Sequence, residues 1–451
     1  MKSKYFVTFS SILILFIFLG FYYSRGVKAN LSVGNNFIYF PIVAEFDPWL
    51  EFGMDSAING GISNTGTVYG AGQSLAIAPD GTPCVTWANQ AFGEGEIYIR
   101  CWDGSTWAEV GTGSASGGGI SNTVTDSLFP DIAIAPDGTL YVAWTEDWQN
   151  IYIRHWNGSA WQEVGEGSAS SGGISNSVIG GAQRVSLAIA PNGMLYAAWD
   201  EWSTSTGYPA IYIRVWNGMN WETVGDGSAS GGGISNTTET SRFPFLAISP
   251  NGKLYVAWQY TNEGGDILSI YVRSWNGNIW EEVGLGSAMG EGISEESNFV
   301  TRPSLVISNN EIPYISYIGT NDNESVNTFR TKRWNGIAWE LVGDGWQVDN
   351  SLLSNAEQSS ITLSTDGFPC VAWSANSENW DTTDIYAKCW NGADWVKKGD
   401  YSDAKGGISN NIGFSISPDA ALAPDGTMYV TWIDDGLIGY SYHQIYARYN
   451  P

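Results

Sequence analysis

Aromatic side chains outside any repeated pattern are the residues of this 451-residue sequence with the clearest chemical use. Acidic and amide runs such as Asp200-Glu201 and Asn262-Glu263 accompany them. An aromatic ring can stack on the C–H face of a sugar, while carboxylates and amides bind its hydroxyl groups. The alternative is that these rings only cover the ends of strands. The predicted sugar-binding aromatic residues are Trp148, Trp202, Trp346, Trp380, Tyr208, Tyr260 and Tyr440.

Three arginines, Arg184, Arg242 and Arg302, are expected just before the first strands of three successive units of the repeat described below, units three, four and five. Guanidinium groups bind carboxylates in a two-pronged geometry, so these side chains are candidates for binding an acidic ligand. They could equally pair with the abundant acids of the protein itself. The chain has two histidines, no Cys-x-x-Cys pair and no Ser-His-Asp set, so no catalytic residue, metal or cofactor is predicted.

Short strands in a long repeat must position these residues. The stretch DIAIAPDGTLYVAW, from Asp131 to Trp144, contains two apolar runs joined by a Pro-Asp-Gly turn, which is typical of a hairpin. A second hairpin follows, and the pattern recurs every 55–59 residues. Seven units of four strands predict an all-β, seven-bladed β-propeller. The turn glycines are Gly81, Gly138, Gly193, Gly252, Gly367 and Gly426, with Asn310 near the matching place in the fifth unit.

The strand order also predicts which face binds ligand. In up-and-down blades, the loops between second and third strands and those between units emerge on the same face. The Pro-Asp-Gly turns emerge on the opposite face and hardly vary. Variable loops on a rigid scaffold are where binding sites are usually placed, and the off-pattern tryptophans all fall on the variable side.

The N-terminal strand is predicted to close the ring. The seventh unit lacks a fourth strand because the chain stops at Pro451, while residues 49–53 (WLEFG) match Trp161–Gly165. Pairing this strand with the end of the chain would remove the free edges between the first and last blades. The expected register places Glu51 opposite Arg448 and Trp49 opposite Tyr449.

The four cysteines are expected to form two disulfides. Cys84 and Cys101 lie on neighbouring strands of unit one, and Cys370 and Cys389 occupy the same two places in unit six. Pairing Trp87 with Tyr98, and Trp373 with Tyr386, brings the cysteines of each pair face to face. Cross-strand disulfides indicate an oxidising compartment.

The N-terminal segment and the charge favour export. Residues 1–29 carry Lys2 and Lys4 before a long apolar run, which indicates a signal peptide or an uncleaved membrane anchor. Residues 30–46 are interpreted as a tether and residues 47–451 as the propeller. A net charge of −26 argues against nucleic acid as a partner and suits a secreted or cell-surface protein.

Residues 47–451 resemble bacterial seven-bladed propellers, including propeller lectins whose blades carry tryptophan-rich hairpins. That resemblance implies glycan binding. More distantly, the hairpin Asp103-Gly104-Ser105-Thr106-Trp107 resembles the Asp-box of sialidases but is one residue too short. Three functions are therefore open: a glycan-binding module, a scaffold for an extracellular protein partner, and a degenerate glycoside hydrolase.

Overall fold

The computed structural model of the protein consists of two units, Met1–Pro48 and Trp49–Pro451. It describes residues 27–29, 32–34, 37–39, 42–44, 49–53, 56–58, 60–64, 68–89, 94–265, 268–294, 300–320, 327–343, 354–376, 382–399, 406–410, 413–435 and 443–451. In the first unit, Val27–Ala29 pairs with Ile42–Ala44, and Ser32–Gly34 pairs with Phe37–Tyr39. The division of residues 1–46 into a signal or anchor and a tether stays a prediction. Across these ranges no helix has the length and apolar character needed to span a membrane.

The second unit confirms the seven-bladed propeller, with four antiparallel strands in each blade. Successive inner strands contact one another in a closed circle around the central axis. The inner strands of blades 1 to 7 are Val68–Ile77, Ser127–Ile134, Gln183–Ile189, Thr240–Ile248, Val300–Ile307, Ser354–Leu363 and Ser415–Leu422. The second strands are Pro83–Asn89, Leu140–Glu146, Leu195–Trp202, Leu254–Thr261, Pro313–Thr320, Pro369–Asn376 and Met428–Asp434. The third strands are Glu96–Trp102, Asn150–Trp156, Pro209–Trp216, Leu268–Trp275, Asn327–Trp334, Thr383–Trp390 and Gln444–Asn450. The outer strands are Trp107–Glu109, Trp161–Glu163, Trp221–Thr223, Trp280–Glu282, Trp339–Leu341, Trp395–Lys397 and, in blade 7, Leu50–Glu51.

The core lies between blades and is built from second-strand aromatic residues. Tryptophan at this position is almost completely shielded from solvent in six blades, and Tyr317 replaces it in blade 5. In those six blades the tryptophan faces a tyrosine of the third strand, as Trp144 faces Tyr152. Large rings fill the wedge between adjacent sheets and supply much of the apolar burial. The six tryptophans are Trp87, Trp144, Trp199, Trp258, Trp373 and Trp432.

The ring closes through the N-terminal strand as predicted, with one correction. Glu51 faces Arg448, but the partner of Tyr449 is Leu50 and not Trp49. The two expected pairs are incompatible, because residue numbers in an antiparallel pair must keep a constant sum. Trp49 is nonetheless only 2% exposed, and its indole N–H donates to the carbonyl oxygen of Lys398 in blade 6 at 2.6 Å.

That bond belongs to a girdle of seven equivalent inter-blade hydrogen bonds. In six blades the tryptophan that begins the outer strand donates its Nε1–H to a backbone carbonyl just after the outer strand of the preceding blade, and in blade 7 Trp49, directly before the outer strand, does the same. The donor–acceptor distances span 2.6–3.1 Å, so every bond has ordinary geometry. The pairs are Trp49–Lys398, Trp107–Phe52, Trp161–Val110, Trp221–Val164, Trp280–Val224, Trp339–Val283 and Trp395–Val342.

Both predicted disulfides are present, and no free cysteine is found in the described part of the chain. Cys84 bonds to Cys101 in blade 1, and Cys370 bonds to Cys389 in blade 6. Each pair joins directly opposed residues of the second and third strands. The disulfides indicate an oxidising environment for the folded protein.

Buried carboxylates join the inner strands near the axis. Asp131 of blade 2 accepts hydrogen bonds from the Ser74 hydroxyl at 2.7 Å and the Leu187 amide at 2.6 Å, and so links blades 1, 2 and 3. Asp419 of blade 7 is bonded in the same way to Ser360 and Leu75. Burial raises the pKa of Asp131 to about 6, and the nearby charge of Asp419 adds to that shift, while the bonds from Leu187 and Ser74 oppose it.

Candidate functional site

A β-bulge near the start of each inner strand prepares the site. In blade 2, Phe129 and Pro130 together oppose one residue of the second strand, and blades 3, 4 and 5 show the same register shift. The first bulged residue has positive φ in Phe129 (51°), Arg184 (54°) and Phe243 (56°). Residues other than glycine rarely adopt this backbone conformation. Bulges often redirect side chains next to functional sites. The bulge therefore turns these side chains out of the regular strand pattern.

The redirected side chains, together with Trp148 from a neighbouring turn, form a continuous strip that crosses from blade to blade. The ring centroids of Trp148 and Phe129 lie 5.5 Å apart in an edge-to-face arrangement. The Arg184 guanidinium carbon lies 5.7 Å from the centre of the Phe129 ring and 4.5 Å from that of Phe243. On the far side, the guanidinium carbon of Arg302 lies 4.6 Å from the Phe243 ring. We call these five residues, Trp148, Phe129, Arg184, Phe243 and Arg302, the mouth strip.

Asp200 is a buried residue that holds the mouth strip in place. Its carboxylate is 1% exposed and accepts two hydrogen bonds from Arg184 Nη1, at 3.0 and 3.3 Å. It also accepts the backbone N–H of Phe243 at 3.2 Å, which fixes the bulge of the next blade. The Nη1 atom of Arg242 lies 3.9 Å from the same carboxylate. A single acid thus orients side chains and backbone from blades 3 and 4.

The site carries more positive than negative charge. Arg184 and Arg242 contact the carboxylate of Asp200, and Arg302 lies near enough to feel its charge, so three guanidinium groups surround one carboxylate and leave an excess of two positive charges around it. Burial raises the pKa of Asp200, and the two arginines next to it oppose that shift. Partial loss of hydrating water lowers the pKa of Arg242 and of Arg302, and the charge of Arg184 lowers both further. An anion placed among these groups would reduce their mutual repulsion.

Arg302 is the arginine with hydrogen-bonding capacity to spare. Its side chain is exposed, and within the described ranges it has no hydrogen-bond or ion-pair partner. The Arg302 guanidinium group lies over the face of the Phe243 ring. A guanidinium group has five N–H donors, so the ring contact leaves all of them available to a ligand.

The structure brings some of the predicted site residues together and separates others. Arg184, Arg242 and Arg302 were expected just before the inner strands and instead lie within their first residues. Trp148 is in the predicted loop and is 41% exposed. Trp346, Trp380 and Tyr440 lie outside the described residues.

The remaining aromatic residues have other surroundings. Trp202 ends a second strand rather than lying in a loop, and it is 43% exposed over Gly181 of the preceding inter-blade loop. Gly181 has positive φ, and a Cβ there would come within 2.6 Å of the indole. Tyr208 is half-buried in the loop after Trp202. Tyr260 stacks on Tyr271, with ring centroids 4.4 Å apart, and its hydroxyl donates to Glu239.

Two residues of the strip, Phe129 and Phe243, were missed by the sequence reasoning. The sequence did contain an indication of them. When the seven repeat units are aligned, each inner strand carries a Ser, Asp or Phe at one position, and the residue two places before it varies in a pattern. In order of blades this column is Gly72, Phe129, Arg184, Phe243, Arg302, Gln358 and Ser417. Four consecutive blades alternate phenylalanine and arginine there, while the other three carry small or amide side chains.

Known proteins show similarity at the level of the fold. No family model and no curated protein matches the sequence. A polysaccharide lyase, an ulvan lyase of the PL25 family bound to GlcA(1-4)Rha3S, matches with a TM-score of 0.52 at 11% identity, over 85% of this chain and 94% of that one. A second structure of such an ulvan lyase matches with a TM-score of 0.50 at 12% identity. The α-L-arabinanase of Penicillium chrysogenum, in complex with arabinobiose, has a TM-score of 0.43 at 14% identity, over 72% of this chain and 92% of that one.

Proposed function

We propose that this protein is a secreted or cell-surface glycan-binding module and that the mouth strip is its binding surface. The observation that carries the proposal is the continuity of an exposed indole, Trp148, with a row of alternating aromatic rings and guanidinium groups. Such a row offers a sugar a stacking surface and hydrogen-bond donors side by side. An oxidising compartment, which the two disulfides indicate, agrees with an extracellular ligand.

The structure around Trp148 suits a ligand more than a packing role. The indole sits at a turn position with positive φ, 57°, and contacts Phe129 only edge to face, so that 41% of the residue stays exposed. The preceding residue, Asp147, also has positive φ, and it accepts a hydrogen bond from Gln149. Two consecutive residues in a disfavoured conformation hold a large apolar ring toward solvent, which is costly unless the ring has a use.

Comparison with the ulvan lyases supports this proposal only through the fold, since the sequences share 11–12% identity. Those propellers act on a polysaccharide, which shows that the architecture can present a glycan site. The assignment to this chain depends on the side chains of the mouth strip. The alternative, a scaffold for an extracellular protein, would use the exposed apolar residues Val178 and Ile179 of the loop between blades 2 and 3.

A glycan array probed with the secreted propeller tests the proposal. We expect binding to one class of glycan, competed away by the free sugar, and weaker binding by Trp148→Ala by about 1–3 kcal/mol, the usual contribution of an aromatic anchor. The matched control is Met219→Ala, which removes a 76%-exposed side chain from a hairpin tip on the opposite face. It should bind like the parent protein.

Melting temperatures separate binding from folding in this experiment. Both variants should melt close to the parent, because each removes a largely exposed side chain. An array without competable binding would remove the proposed function. Equal loss of affinity in Met219→Ala and Trp148→Ala would move the site away from the mouth strip.

A further inference from the structure

We infer that the glycan is acidic and that its anionic group, a carboxylate or a sulfate ester, binds at Arg302 beside Phe243. This inference rests on the proposed function and adds the chemical class of the ligand. It starts from the charge of the site, where three guanidinium groups face one carboxylate. A neutral sugar would leave the two excess positive charges uncompensated.

The three arginines have different roles in this arrangement. Arg184 is committed to Asp200 by two hydrogen bonds, and Arg242 shares the same carboxylate. Arg302 is exposed and keeps its N–H donors available among the described residues. Arg302 is therefore the direct ligand of the anion, while Arg184 and Arg242 raise the positive potential around it.

Phe243 holds two of the cations of the mouth strip. Its ring centre lies 4.5 Å from the Arg184 guanidinium carbon and 4.6 Å from that of Arg302. Cation–π contacts orient a guanidinium group without using its N–H donors. The two forks are thus positioned in advance, and little side-chain entropy is lost when an anion binds.

The charge of the rest of the protein makes this site selective. The chain carries 46 acidic residues against 20 lysines and arginines, so most of its surface repels a polyanion. A local excess of positive charge is the place where an acidic polymer can approach. Binding of such a polymer would therefore indicate a contact with the mouth strip and not a general electrostatic attraction to the protein surface.

Pairs of polymers that differ only in charge test the inference. Affinities would be measured for polygalacturonate and its carboxyl-reduced form, and for dextran sulfate and dextran. We expect one acidic polymer to bind at least tenfold more tightly than its neutral counterpart, and the pair that shows the difference identifies the anionic group as carboxylate or sulfate. Raising the salt concentration should reduce this difference, because the charges lie near solvent.

Variants locate the effect at Arg302. Arg302→Gln should lose at least tenfold affinity for the acidic polymer, while Arg302→Lys, which keeps the charge but not the planar fork, should lose less. The matched control is Arg333→Gln in the third strand of the same blade, where Arg333 pairs with Glu340 at 2.7 Å. That variant should retain the affinity of the parent.

The outcomes separate this inference from the proposed function. Glycan-array binding restricted to neutral sugars would overturn the inference and leave the glycan-binding function standing. So would equal affinities within both polymer pairs, or an acidic-polymer affinity that Arg302→Gln does not change. Absence of glycan binding of any kind would remove the proposed function itself.

Discussion

The outer girdle and the mouth strip use the same seven-fold repeat in opposite ways. In the girdle, all seven blades carry tryptophan and make the same bond to the preceding blade, from Trp49 to Trp395. In the mouth column no such uniformity exists, and phenylalanine and arginine alternate in blades 2 to 5 while blades 1, 6 and 7 carry Gly72, Gln358 and Ser417. A position that is identical in every blade serves the ring. A position that differs in neighbouring blades is available for a ligand.

Their geometry differs as well. Girdle tryptophans sit in or directly before regular outer strands and donate their indole N–H to a backbone carbonyl, as Trp161 does at 2.9 Å. Four of the five side chains of the strip sit on bulges, with Phe129, Arg184 and Phe243 at positive φ, and Trp148 sits in a turn. Backbone strain of this kind costs stability and is found mainly at functional sites. The comparison predicts that girdle variants change stability and strip variants change binding.

Trp49→Ala should have the largest effect on stability. The side chain is buried and supplies the part of the girdle that comes from the N-terminal strand. We expect a loss of about 3–5 kcal/mol in the free energy of unfolding, as for other buried tryptophans, with no change in glycan affinity per folded molecule. Chemical denaturation and a binding assay on the folded fraction measure the two quantities.

Trp395→Ala provides the matched comparison for this variant. Trp395 is 6% exposed and makes the same bond, to Val342, within the continuous part of the chain. If the closing strand is an integral part of the ring, the two variants should lose similar stability. A loss below about 1 kcal/mol in Trp49→Ala alone, well under the usual cost of a large core deletion, would show that the ring does not depend on its N-terminal strand.

The inner carboxylates predict a smaller, pH-dependent effect. Because the pKa of Asp131 is raised to about 6 in the folded protein, folding favours the protonated carboxyl group. Its contribution to stability is present below pH 4 and is lost as the pH rises through 6. We expect the free energy of unfolding to fall between pH 4 and pH 6.5, and to fall less steeply in Asp131→Asn.

Asp137→Asn is the control for that measurement. Hydrogen bonds from Thr139 lower the pKa of Asp137, so this exposed turn carboxylate is already ionised throughout the same range. Its replacement should leave the pH slope between pH 4.5 and 6.5 as it is in the parent. A slope that Asp137→Asn changes as much as Asp131→Asn would refute the role assigned to the inner ring.

Regular spacing let the sequence predict most of the fold. Turn glycines at nearly constant intervals gave the seven blades, and the facing positions of Cys84 and Cys101 followed from one strand register. The same reasoning failed at Tyr449, because Asn450 and not an aromatic residue occupies the position that Trp156 has in blade 2. The register between two adjacent strands depends on residues close together in the sequence. It could therefore be predicted from the aligned repeat units.

The candidate site was less predictable, because it depends on contacts between blades. The three arginines were identified as candidates from their residue type alone. Their contacts with Asp200 and Phe243 join side chains from different blades, which the sequence does not reveal. The bulges that turn Phe129 and Phe243 toward those arginines leave no mark in the hydrophobic pattern. Trp202 was placed in a loop because its second strand continues past the usual end.

A crystal structure of the propeller with the glycan that the array identifies tests the central claim most directly. We expect the sugar ring to lie against the indole of Trp148 and an anionic group of the ligand to lie within hydrogen-bonding distance of the Arg302 guanidinium. Density for the glycan on the hairpin face or on the outer strands, with the mouth strip unoccupied at a saturating ligand concentration, would contradict the account.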